Sequence, residues 1–149
     1  MTEKQKRGEE LFRQGYNCAQ AVFAVFAEEY GIDEKTALRL AEPFGGGLGR
    51  QRLTCGAVAA ACMALGLARS GGTSDSKLKT YEEVNDYCNR FRMKNGSIIC
   101  GELLEGVTVT KGIAPEARTA EYYKKRPCGE YVTDAIGILE AYLEENNND

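Results

Sequence analysis

Between Cys55 and Ala68 the chain is built almost wholly from small apolar residues, with alanine at positions 57, 59, 60, 61, 64 and 68. Such a composition favours helix strongly. A helix with no polar face must be covered on nearly every side, so the segment belongs in the middle of a helical bundle. Its apolar run, residues 57–68, contains Gly66 and falls short of the ~20 residues needed to cross a bilayer. No membrane association is expected.

The rest of the chain supplies helices to surround it. Thr2 can cap a charged first helix within residues 1–15, ending at Gly15. A second begins near Asn17, places Cys18, Val22, Val25 and Phe26 at helical spacing and closes at Gly31. Asp33 caps a third, which Pro43 ends. Thr54 is placed to cap the alanine-rich helix, and residues 70–76 read as a loop. A fifth helix is expected from about Leu78 to Lys94, with Tyr81, Val84, Tyr87 or Cys88, and Phe91 along one face. Ser97 can cap a short sixth through Leu104. Residues 106–126 carry no firm periodicity. The last helix opens at Pro127 and carries Val132, Ile136 and Leu139, before a polar tail over 144–149 that is expected to fray. With no repeat and no second composition block, the expectation is an all-α, single-domain helical bundle of about five to seven helices over residues 1–149.

A chain of 149 residues can bury well over half its unfolded surface without covalent staples. The net charge of −3 offers no cationic excess to displace counterions, which argues against nucleic acid as a partner. The one dense basic run, Lys124-Lys125-Arg126, is too short to alter that. The polar start, Met1 to Arg7, leads into no apolar signal core, so a cytoplasmic location is expected. In a reducing compartment, cysteines point to metal, redox or catalytic roles rather than to structural disulfides.

There are six cysteines and no histidine. A Cys–His pair, a Cys₂His₂ zinc site and a histidine base are therefore all excluded. Cys18, Cys55 and Cys128 each fall in the first turn of an expected helix, and Cys100 within a turn of another start. Unpaired amides and the positive dipole end at such positions favour thiolate over thiol. Cys55, Cys100 and Cys128 are each followed by glycine, which leaves the backbone uncovered for close approach. The competing reading of each cysteine is a small buried hydrophobe. That reading suits Cys62, two turns deeper on the helix of Cys55, and Cys88, which is mid-helix. No Cys-x-x-Cys spacing occurs, but side chains from facing helices can still converge in a bundle. Three chemistries are then open to Cys18, Cys55, Cys100 and Cys128: holding an iron–sulfur cluster or a Cys₄ zinc, alternating between dithiol and disulfide, or nucleophilic attack by one thiolate.

Ahead of Cys55 lies Phe44-Gly45-Gly46-Gly47-Leu48-Gly49-Arg50, with four glycines in five residues. A dinucleotide fingerprint would need glycine at 50 and a preceding strand, and neither is present. The loop is either a hinge for tight helix packing or, with Arg50 and Arg52, an anion-friendly cup that would help hold Cys55 as thiolate.

These residues resemble the bacterial and archaeal family of redox-active proteins named for its C-GCAxxG-C-C cysteine pattern. The resemblance rests on Gly15-Tyr16-Asn17-Cys18-Ala19-Gln20-Ala21, on the glycine loop, on Cys55 with its small neighbours, on Gly96-Ser97 with Cys100 and Leu103-Leu104, and on Cys128. It implies that Cys18, Cys55, Cys100 and Cys128 are the four pattern cysteines. The central element departs from the pattern: Thr54 stands for Gly, Gly56 for Ala and Ala59 for the second Gly. Small residues replace small ones, so close packing near Cys55 is expected to survive. The expected function is a small redox protein using these four cysteines for thiol–disulfide exchange or electron transfer, with Cys55 the most reactive. The alternative is a Cys₄ iron–sulfur or zinc module without turnover. The expected partner is another redox protein, and self-association into a homodimer is left open.

Overall fold

A computed structural model describes residues 1–145. Its helices are α1 (Glu3–Arg13), α2 (Cys18–Ala27), α3 (Glu34–Ala41), α4 (Gly45–Leu48), α5 (Gly56–Arg69), α6 (Lys77–Asn95), α7 (Cys100–Leu103), α8 (Ala120–Lys125) and α9 (Cys128–Glu145). Short 3₁₀ turns cover Glu28–Tyr30, Glu42–Phe44 and Ser74–Ser76. Among the described residues there is no strand, only an isolated antiparallel bridge between Thr54 and Ile99. The all-α expectation holds. The one right-handed helix beyond the expected seven is α8, inside the segment without periodicity. α4 is helical in its hydrogen bonding alone, because Gly46 and Gly47 are left-handed.

Polar side chains start the first three helices where the sequence placed them. Thr2 and Gln5 form a reciprocal capping box on α1, Asn17 and Gln20 another on α2, and Asp33 accepts from the Thr36 amide on α3. Gln20 is buried and also donates to the Leu38 carbonyl at 3.0 Å, which ties α2 to α3. The start of α5 is different: Cys55, not Thr54, is its N-cap. Thr54 is taken up by the bridge to Ile99, a use that suits a β-branched residue.

The middle of the bundle is a pair of helices rather than one. α2 packs along α5 and also touches α1, α3 and α9, with Ala19, Ala21, Val22 and Ala27 wholly buried. On α5 the matching residues are Ala57, Val58, Ala60 and Ala61. Alanine at these positions lets the two backbones approach closely. The C-terminal half of α5 is less enclosed than expected, since Cys62, Met63 and Gly66 are half-buried and Leu67 is exposed. α9 closes the other side with Val132, Ala135, Ile136 and Leu139, and α6 adds Tyr87 and Phe91. Each fully buried side chain of this size contributes about 1.5–3 kcal/mol. Tyr81, expected on the core face of α6, is exposed because the first turn of α6 runs past the core. At the C-terminus Glu144 and Glu145 are still helical, and Glu145 pairs with Arg90. The remainder of the tail expected to fray, 146–149, lies outside the described residues.

No helix among the described residues is long and apolar enough to cross a membrane.

Candidate functional site: a cavity ringed by four cysteines

All four cysteines singled out in the sequence stand at helix starts. Cys18, Cys100 and Cys128 are the first residues of α2, α7 and α9, and Cys55 caps α5. These starts meet at one end of the bundle, where Cys18, Cys55, Cys100 and Cys128 all line a single cavity of about 580 Å³. Cys62 and Cys88 do not line it.

The glycine loop makes this meeting possible. From Gly46 to Arg50 every residue has positive φ, including Leu48 at 68° and Arg50 at 66°, and Arg52 follows at 63°. A continuous left-handed run is sterically unfavourable for L-residues, by about 1–2 kcal/mol for each one with a side chain. It is held by backbone bonds from Gly49 to Pro43, Arg50 to Gly45, Arg52 to Gly46 and Leu53 to Gly47. A side chain at Gly47 would stand 2.7 Å from Cβ of Cys100 and equally close to the Leu53 amide. One at Gly56 would stand 2.7 Å from both the Cys18 sulfur and the Phe44 carbonyl. The missing side chains at these two positions are the space through which α2, α5 and α7 converge.

The bridge then sets the register of two of the thiols. The Cys55 amide donates to the Ile98 carbonyl at 2.7 Å and the Cys100 amide to the Leu53 carbonyl at 2.6 Å. In antiparallel pairing Cys55 and Cys100 therefore occupy diagonal positions on one side of the bridge.

Burial dominates the acidity of Cys18, Cys55 and Cys128. It pushes Cys55 up to about 12, even though the Val58 and Ala57 amides at the start of α5 face its sulfur and favour the thiolate. Cys18 is raised further, by burial first and then by the neighbouring sulfurs of Cys55, Cys128 and Cys100. Cys128 is also raised by burial, against the opposing influence of Arg126 and Arg118. At Cys55 the helix start favours the thiolate, as expected, but by less than desolvation opposes it. The anion cup is rearranged as well. The Gly46 amide serves the Cys18 sulfur rather than Cys55. Arg50 points away into residues 110–116, bonding the carbonyls of Thr110 and Ala114 and lying 3.7 Å from Glu116. Arg52 lies beside a different thiol, its Nη1 3.7 Å from the Cys100 sulfur.

Residues 106–126, unreadable in the sequence, supply the roof. Ile113, Pro115, Glu116, Arg118, Tyr122 and Arg126 line the cavity. Arg118 bonds the carbonyls of Phe12 and Tyr16 at 2.9 and 3.0 Å and lies over the Phe12 and Tyr122 rings. Arg126, from the basic run, turns inward to Glu116 at 2.5 Å. No periodic signal marks this segment because it is fastened by guanidinium groups rather than by an apolar face.

Chemically, the arrangement gathers four thiols, apolar walls and several arginines around one open space. It can exchange disulfides or hold a group larger than an ion. Among the described residues no three Cys, Asp or Glu side chains are grouped as ligands of a single metal ion. Cys88 belongs to the core and Cys62 packs against it, as expected, and the two are neighbours between α5 and α6.

No curated protein and no solved structure is significantly similar to the chain. A family profile does match it, over residues 16–142, a span that runs from before Cys18 to beyond Cys128. The chain belongs to the family described as putative redox-active protein (C_GCAxxG_C_C).

Proposed function

We propose that the four thiols around the cavity form one redox centre that passes electrons by thiol–disulfide exchange, with Cys18 and Cys55 as the exchanging pair. The observation that carries this reading is the convergence of Cys18, Cys55, Cys100 and Cys128, from four helix starts, on a single cavity. Support for the pair comes from Gly56, whose absent side chain leaves room for the Cys18 sulfur against the start of α5. Cys55 is the better nucleophile of the two, having two helix-start amides and the smaller upward shift. In the exchange, the Cys55 thiolate attacks a partner disulfide and one partner sulfur leaves as thiolate. Cys18 then loses its proton, attacks the Cys55 sulfur and releases the second partner thiol. The pair is oxidised by two electrons and the partner disulfide gains them with two protons. Burial keeps the reduced Cys18–Cys55 pair protonated and quiet until a partner engages it.

A second reading, a module holding an iron–sulfur cluster without turnover, is favoured by the cavity itself. Its four sulfurs surround a space, and Arg52 approaches one of them, as donors to cluster sulfurs do. Cys18, Cys55, Cys100 and Cys128 would hold the cluster, which would supply one-electron transfer. A single zinc ion draws no comparable support.

Anaerobic purification with elemental analysis, followed by a mass map of cysteine alkylation before and after oxidation, separates these readings. The thiol reading expects no stoichiometric metal and a Cys18–Cys55 disulfide that Cys55→Ser abolishes. Iron with inorganic sulfide would replace it by the cluster reading. Equal, slow labelling of all six cysteines in both states would sink both.

A further inference from the structure

Cys62 and Cys88 stand apart from the four-cysteine cavity. Cys62 lies two turns along α5 from Cys55, about 10 Å of helix rise, too far for direct exchange with it. Its thiol neighbours that of Cys88 across the α5–α6 interface. Both residues keep some contact with solvent: Cys62 is half-buried and Cys88 is 8% exposed. From this geometry we infer that Cys62 and Cys88 form a second dithiol, which a hydroperoxide converts reversibly to a disulfide stapling α5 to α6.

Three observations support it. The helices are joined only by the loop over 70–76, so the two cysteines are brought together by packing rather than by sequence. The neighbouring Cys62 thiol and Arg92, one turn further along α6, ease ionisation of Cys88 against the opposing cost of burial. Cys62, beside Cys88 and largely enclosed, holds its proton more firmly. In the proposed reaction Cys88 is the nucleophile and Cys62 the resolving group. The small exposure of Cys88 admits a compact oxidant such as hydrogen peroxide more readily than a bulky disulfide.

In the reaction the Cys88 thiolate attacks one peroxide oxygen, the O–O bond breaks, and hydroxide leaves. This gives a sulfenic acid on Cys88. Cys62 then gives up its proton and attacks the Cys88 sulfur, expelling the second oxygen as water. Two thiols and one peroxide become one disulfide and two waters. A small dithiol reverses the step.

The test uses the whole reduced chain, treated with hydrogen peroxide under native conditions, quenched with an alkylating agent and digested without reductant. The expected product is one linked peptide joining Cys62 to Cys88, lighter by two hydrogens than its parts and lost on treatment with dithiothreitol. Cys62→Ser should abolish the link and leave Cys88 trappable by a sulfenic-acid probe. Cys55→Ser should leave the link intact, so the result stands whether or not the four-cysteine centre exchanges disulfides. Recovery of Cys62 and Cys88 as separate alkylated peptides, or linkage of either to a cavity cysteine, would overturn the inference. So would a link that forms only after denaturation.

Discussion

A thiol at a helix start receives two opposing influences, and their relative size decides its state here. The amides at the start of α5 stabilise charge on Cys55, but losing water costs the charged form more. The consequence for stability has a definite sign. Folded Cys55 holds its proton up to about 12, whereas an unfolded thiol releases it near 9. The folded form therefore binds more protons between these values. Stability is fully present below about 9 and falls as pH rises through the window, by about 1.4 kcal/mol per pH unit for each such thiol. Denaturant titrations of the reduced protein should show this loss, and Cys55→Ala should reduce its slope. A midpoint unaffected by pH across that range would contradict the burial argument. Which cysteines stand at helix starts was legible in the sequence, because such starts are marked by local residues such as Asn17 and Pro127. Their acidity was not, because burial is set by other helices.

At the level of elements, the left-handed run before Cys55 is the least expected structure in the chain. Leu48 is 42% exposed and sits at a φ of 68°, so its side chain adds backbone strain with little burial in return. Leu48→Gly is expected to stabilise the protein by up to about 1 kcal/mol, measured as a raised denaturation midpoint. Gly56→Ala should do the opposite. Although the family pattern has alanine there, in this chain a Cβ at 56 meets a backbone carbonyl and the Cys18 sulfur at 2.7 Å. A loss of about 1–3 kcal/mol is expected, with faster alkylation of Cys18 as α2 moves off. If the variant is as stable as its parent, with Cys18 labelling unchanged, the close approach of α2 and α5 is not as described. The sequence offered the loop as either a hinge or a cup. It is a left-handed hinge that lends one amide to Cys18, an outcome decided by which helix start lies beneath it.

For the whole molecule, the segment 106–126 decides whether the cavity is open or roofed. Its attachment depends on Arg50 reaching Thr110 and on Arg118 reaching Phe12 and Tyr16. Glu116 joins the same network: burial works against its charge, but the Thr110 amide and Arg126 hold its carboxyl below the usual range. Arg118→Ala removes charged hydrogen bonds and three ring contacts, a loss of about 2 kcal/mol. Because that loss falls on the roof, hydrogen exchange over 106–125 should accelerate and Cys128 should alkylate about tenfold faster, while exchange in α2 and α5 changes little. Uniform acceleration throughout the chain would show instead that Arg118 supports the core.

By itself the sequence determined most of the helices, the caps of α1 to α3 and the four cysteines at helix starts, because each depends on neighbours within a turn along the chain. It also determined that an alanine-rich helix must be enclosed. Only the tertiary structure decided that α2 shares the centre with α5, that burial outweighs the helix start at Cys55, that arginines fasten a roof over the cavity, and that Cys62 neighbours Cys88. These outcomes depend on which distant surfaces exclude water from one another, and no local pattern of residues encodes that.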